Sequence, residues 1–199
     1  MTTATLTSSH VARMAALAAI RAASMGLIPP GEVANVGDPA SVGRTLDHVQ
    51  RAGIGRGLRM PSDEARDAEA LAALLEELLE AMAASPVPES EWPAVERVLG
   101  SEQLAGLLGI SVSSLRRYAA GTRTTPDDVA VRLHFLALVV GDLAGSYNDL
   151  GIRRWFMRKR SQLDGHAPAD LLQGSWDPED AGPSRVRTLA AALLDSPAT

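Results

Sequence analysis

Apolar residues recur three and four positions apart along most of the chain, a spacing that predicts α-helices. The clearest case is residues 62–84, where one face is apolar and the glutamates lie largely off it. That face consists of Leu71, Leu74, Leu75, Leu78, Leu79 and Met82. Helices are also predicted at residues 8–25 and after Pro126. The Ser-Pro-Val-Pro run at 85–88 indicates a domain boundary, so we expect an all-α fold with more than one domain.

Residues 91–121 carry a denser pattern, which predicts short helices at about 91–99, at about 101–108 and from Ser111 to about Ala120. Ala105 is a small residue where two helix backbones would cross, and Gly109 tolerates the positive φ of a tight turn. The apolar positions that would fill the corner between the last two helices are Leu104, Leu108, Ile110, Leu115 and Tyr118. Together these features predict a helix-turn-helix, the motif that places its last helix in the major groove of DNA.

The outer side of that last helix is basic and hydroxyl-rich, which gives it the donors that DNA recognition requires. Arginine can bind a guanine edge with two hydrogen bonds, and serine can bind phosphate. The predicted DNA-binding residues are Ser111, Ser113, Ser114, Arg116, Arg117 and Arg123. The alternative is an ordinary helical hairpin that carries two surface arginines.

Charge along the chain agrees with this placement. The net charge is −5, but residues 61–96 hold one basic and ten acidic residues, whereas residues 97–160 hold ten basic and five acidic. Phosphate contact depends on the local surface, so a positive segment between acidic ones is compatible with DNA binding. A dense basic run, Arg153, Arg154, Arg158, Lys159 and Arg160, leaves three alternatives: contact with the DNA backbone, contact with an acidic partner, or a solvated helix face.

Other chemistry finds little support in the composition. There are no cysteines, and His10, His48, His134 and His166 are scattered without metal-ligand spacing. No nucleophile–base pair or phosphate loop is recognisable, so we expect no enzyme activity, no metal and no cofactor. No apolar run approaches the length of a membrane span, and no signal-peptide pattern precedes the first helix, so we expect a cytoplasmic protein.

The last third of the chain contains an ordered set of features: Trp155-Phe156, then Leu163, Gly165, Pro168 and Asp170-Leu171-Leu172, and a closing helix at Val186–Leu194. In this order, after a helix-turn-helix and a long helix, they resemble the Xre/MbcA/ParS-type antitoxins over about residues 95–195. The stretch MRKRSQ after Phe156 and the long acidic spacer SWDPEDAGPS depart from the pattern expected of that family.

The resemblance implies that the chain neutralises a RES-domain toxin that consumes NAD⁺, and that it represses its own operon by binding operator DNA. It implies a helix-turn-helix domain (89–148) and a small helical toxin-binding domain (149–199). Residues 1–88 lie outside the match, as an N-terminal helical extension of unknown role. The resemblance places toxin contacts at Trp155, Phe156, Leu163, Gly165, Pro168, Asp170, Leu171 and Leu172. Trp155 and Phe156 point about 100° apart on a helix, so one can be buried while the other anchors a partner. The alternative is that both belong to the core of the small domain.

Two further expectations concern assembly and the main alternative function. We expect a homo-oligomer, and the extension at 1–88 is an oligomerisation element, a second toxin-contacting segment or an unrelated domain. The alternative function is a helix-turn-helix regulator, for instance a phage-type repressor, that has no toxin partner. The two functions share the helix-turn-helix and differ in the use of residues 150–199.

Overall fold

The structure is a computed structural model that describes residues 9–29, 31, 33, 38–62 and 67–194. Every regular element in these ranges is a helix, which confirms the predicted all-α class. The chain divides into two compact units, one within residues 1–23 and 27–86 and the other within 24–26 and 87–199. The predicted start of the third helix, around Asp63 and Glu64, lies outside the described residues.

The first unit is built from α1 (Ser9–Ser24, of which residues 9–23 belong to this unit), α2 (Pro39–Arg51) and α3 (Ala68–Ala83). Asp38 and Asp67 stand before α2 and α3, and each side chain accepts a hydrogen bond from a backbone N–H in the first turn, at 2.7 and 2.9 Å. Of the apolar face predicted for α3, Leu71, Leu74, Leu75, Leu78 and Met82 are buried, whereas Leu79 is half-buried.

The second unit contains six α-helices and two short 3-10 helices among its described residues. The α-helices are α4 (Pro88–Leu99), α5 (Ser101–Leu108), α6 (Val112–Ala119), α7 (Asp127–Ala144), α8 (Asp149–Met157) and α9 (Ala181–Ala191), and the 3-10 helices are Ser161–Leu163 and Pro168–Leu171. Helix α7 is central, because it packs against α4, α5, α8 and α9. Its side chains from Arg132 to Leu143 are buried throughout. The closing helix begins at Ala181, five residues before its predicted start.

Residues 149–194 do not form a core of their own. Their helices α8 and α9 pack on α7, which belongs to the segment predicted as the helix-turn-helix domain. Asp142 of α7 is fully buried and accepts a hydrogen bond from Nε of Arg187 in α9 at 2.8 Å. The predicted segments 89–148 and 149–199 therefore share one compact unit, because the shorter one has too little apolar surface to bury without α7.

A buried acid–imidazole pair lies in the interface between α4 and α7. Glu91 Oε1 is 2.6 Å from His134 Nδ1, and the Glu91 carboxylate also accepts a hydrogen bond from the backbone N–H of Val87. Glu91 is fully buried, and this burial raises its pKa above the ordinary value of 4.5 although the His134 and Val87 contacts act to lower it. His134 is thus a packed residue.

The raised pKa of Glu91 predicts how stability depends on pH. A carboxyl that binds its proton more tightly in the folded state contributes stability that is complete below the unfolded pKa and is lost as pH rises through the folded pKa. Wild type should therefore lose free energy of unfolding above pH 4.5, at no more than about 1.4 kcal/mol per pH unit. Glu91→Gln cannot titrate and should lack this loss. Urea unfolding of both proteins from pH 4 to 8 measures the difference, and parallel profiles would contradict the assignment.

Among the described residues, no single helix has both the length and the apolar composition needed to cross a membrane. Helices α7 and α8 meet that test only when taken together, and they are bent by 117° at the break between them.

Candidate nucleic-acid interface

The turn between α5 and α6 has the geometry that the sequence pattern requires. Gly109 adopts φ 67° and ψ 29°, in the left-handed region, and the N–H of Ile110 donates to the carbonyl of Ala105 at 3.0 Å. Helix α6 then starts behind Ser111, whose Oγ accepts a hydrogen bond from the N–H of Ser114 at 3.1 Å. Only three residues therefore separate the two helices, and hydrogen bonds cap the end of α5 and the start of α6.

A small core holds the two helices in this arrangement. Leu104, Ala105, Leu108 and Leu115 are buried, and Ile110 is half-buried. Behind them, the ring of Tyr118 stacks on Trp92 of α4 at 6.0 Å. The indole N–H of Trp92 donates to Oγ1 of Thr125 at 3.0 Å. Helix α6 is thus held at its back by apolar and aromatic packing, so its outer side is presented as a rigid surface.

The outer side of α6 exposes Ser113, Arg116 and Arg117. Arg123, just beyond the helix, is also exposed, and its guanidinium lies 5.3 Å from the centre of the Tyr118 ring. In the described part of the chain, no ion pair involves any of these three arginines. Their charges are therefore available to an external anion.

Two of the predicted DNA-binding serines have a local structural role. Ser111 Oγ caps α6 and also lies 3.0 Å from Ser114 Oγ, and Ser114 is half-buried. Ser114 therefore stabilises the start of the helix rather than facing outward, whereas Ser111 is exposed and remains in reach of a phosphate.

The segment 173–176 packs on the back of the turn. The indole N–H of Trp176 donates to the carbonyl of Leu107 at 2.8 Å, and its ring meets Phe135 edge-on at 5.1 Å. A Cβ at Gly109 would lie 2.3 Å from the carbonyl oxygen of Gly174, so only glycine fits this turn. Sequence reasoning missed Gly174 and Trp176, because the contact joins residues 69 positions apart and no local spacing indicates it.

Most of the residues that the resemblance assigns to toxin contact are core in this structure. Trp155 and Phe156 are both buried and meet edge-on at 5.3 Å, so neither projects from the surface as the expected anchor. Leu163, Pro168 and Leu172 are also buried, and Leu171 is half-buried. The reason is that α4, α7 and the second 3-10 helix pack against α8.

The two remaining residues of that set are exposed but have conformational roles. Asp170 accepts a hydrogen bond from the backbone N–H of Ala167 at 2.8 Å and so caps the second 3-10 helix. Gly165 adopts a φ of 82°, which a side chain would strain.

In the basic run at 153–160, two side chains make contacts within the protein and three are exposed. The Arg153 guanidinium donates to the carbonyls of Val98 and Arg97 at the end of α4, and Arg160 lies over the Trp155 ring at 5.0 Å. Arg154, Arg158 and Lys159 are exposed. In the described ranges, no group of three His, Asp or Glu side chains is placed to hold a metal ion.

No protein-family model, no curated protein and no solved structure matches this chain.

Proposed function

We propose that this chain is a DNA-binding regulator that reads operator DNA with α6, and that its C-terminal segment binds and neutralises a RES-domain toxin. DNA binding is supported mainly by three exposed arginines that form no ion pair with any described residue. Arg116 and Arg117 lie on α6, which packs against α5, and Arg123 lies just beyond it. Unpaired cations on a preorganised helix are what phosphate and guanine recognition need.

The dimensions of α6 support the same function. An α-helix with its side chains is about 10–12 Å in diameter, so α6 can enter the major groove of B-DNA, which is about 12 Å wide. Ser113, Arg116 and Arg117 lie three and four residues apart, so they face the same way. Arg116 and Arg117 would read base edges, while Ser111 and Arg123 would contact phosphates beside the groove. The test is a binding titration with the DNA upstream of the chain's own gene. A scrambled duplex of the same length, measured at the same salt concentration, is the control.

The antitoxin half rests on the order of elements after the helix-turn-helix, which resembles that of the Xre/MbcA/ParS-type antitoxins. Co-expression with the product of the adjacent gene should give a stable complex, and an NAD⁺-consuming activity of that product should be suppressed in the complex. If no such complex forms while operator binding persists, the chain is instead a regulator without a toxin partner. The two halves of the proposal can therefore fail separately.

A further inference from the structure

Exposed apolar side chains are concentrated at α8. In the described part of the chain the large apolar residues that remain exposed are Val131, Tyr147, Leu150 and Met157, and the last three lie in or next to this helix. Leu150 and Met157 are 54% and 64% exposed, well above the other two. Leu150, Arg154 and Met157 recur at helical spacing on α8, and Arg158 follows directly after the helix in an extended conformation; we refer to these four residues as the α8 flank.

An open cleft of about 700 Å³ adjoins the α8 flank. Met157 stands at its edge, and small residues of three different elements form much of its wall, Gly106 of α5, Ala169 of the second 3-10 helix and Gly174. Small residues let another backbone approach closely, and Leu107 adds apolar surface. The cleft and the flank are therefore continuous through Met157.

The composition of this surface favours a protein over DNA. Met, Tyr and Arg are enriched at protein interfaces, where apolar anchors are surrounded by polar residues. DNA backbone contact would leave the exposed side chains of Leu150 and Met157 against a hydrated polyanion. Arg154, Arg158 and Lys159 form no ion pair with any described residue, so their charges are available to carboxylates of a partner protein.

We infer that the α8 flank and the adjoining cleft form a docking surface for a protein segment that carries an apolar side chain flanked by carboxylates. The apolar side chain enters the cleft beside Met157, and the carboxylates meet Arg154 and Arg158. The identity of the partner rests on the proposed function, in which it is the RES-domain toxin. The surface itself differs from the Trp155-Phe156 site that the resemblance implies.

The test uses titration calorimetry to measure binding of the full chain to the purified product of the adjacent gene, which the proposed function expects to be the toxin. Leu150→Ala with Met157→Ala should weaken the complex about 30-fold, because exposed apolar anchors at an interface centre dominate its affinity. Arg154→Glu with Arg158→Glu should weaken it at least as much, and the two Lys replacements should restore most of the affinity. Val131→Ala, which truncates an exposed residue on α7, is the matched control and should change nothing.

The outcomes separate the two proposals. If wild type binds the toxin and the flank variants bind equally well, the docking surface is wrong and the antitoxin function stands. If wild type does not bind, the toxin partner and the docking surface both fail. If Arg154→Glu with Arg158→Glu instead lowers operator affinity and its salt dependence while toxin binding is unchanged, the flank faces DNA and the inference is overturned.

Discussion

Replacing Arg116 and Arg117 together with Ala should lower operator affinity by about 30- to 10,000-fold. Each arginine that binds a guanine edge with two hydrogen bonds contributes about 1–3 kcal/mol of discrimination, and both face outward from the same helix. The fold should be unaffected, because both side chains are exposed and neither belongs to an ion pair of the described residues. Fluorescence anisotropy with the upstream DNA measures the loss.

The matched control removes the same amount of charge elsewhere. Arg13 and Arg44 are exposed arginines on α1 and α2, so Arg13→Ala with Arg44→Ala changes the net charge equally. An equal loss of affinity in this control would mean that only overall charge matters. Base reading also requires the ratio of operator to scrambled affinity to fall in the α6 variant, whereas loss of phosphate contacts alone would lower both affinities together.

Trp155→Ala should lower the free energy of unfolding of the second unit by about 3–5 kcal/mol, the range for deleting a buried aromatic side chain. Trp155 is 2% exposed, packs edge-on against Phe156 and lies beneath Arg160. Its indole N–H has no acceptor within the described part of the chain. Trp155→Phe keeps an aromatic ring and loses no hydrogen bond, so it should cost much less. Urea unfolding measures both variants.

This prediction distinguishes a core residue from a partner anchor. Met157→Ala, next but one along the helix and exposed, is the control and should leave stability nearly unchanged. A Trp155→Ala protein of normal stability that no longer bound the toxin would show that Trp155 is an anchor after all. Truncation before Trp155 is a poor test of the antitoxin interface, because it also removes core packing from α7.

The short helices α5 and α6 and the turn between them were predictable because their determinants are local. The capping serine at 111, the glycine at 109 and the apolar positions lie within about twenty residues, and each acts on neighbours in sequence. The bounds of α5 agree with the prediction at both ends. The all-α class could be predicted because apolar residues recur three and four positions apart. This spacing is a local property of the sequence and does not depend on which tertiary contacts form.

What could not be predicted depends on contacts between distant residues. The pattern places Trp155 and Phe156 on different sides of a helix, but which sides are covered depends on α4, α7 and the second 3-10 helix. The Glu91–His134 pair joins residues 43 positions apart, and neither has a motif around it. The exposure of the α8 flank could not be predicted from the sequence for the same reason, since its residues differ from buried ones only in whether other elements pack over them.

The close approach of Gly174 to the turn at Gly109 limits how this molecule can recombine. A chimera that joined residues 87–148 to the C-terminal segment of another protein would lack Trp176. The carbonyl of Leu107 would then lose its hydrogen-bond donor, and Phe135 would lose the ring that packs against it. A functional graft must therefore carry residues 173–176 with it. The helices proposed to read DNA and the C-terminal tail are therefore expected to be inherited together, and exchange between paralogues should occur outside residues 87–194.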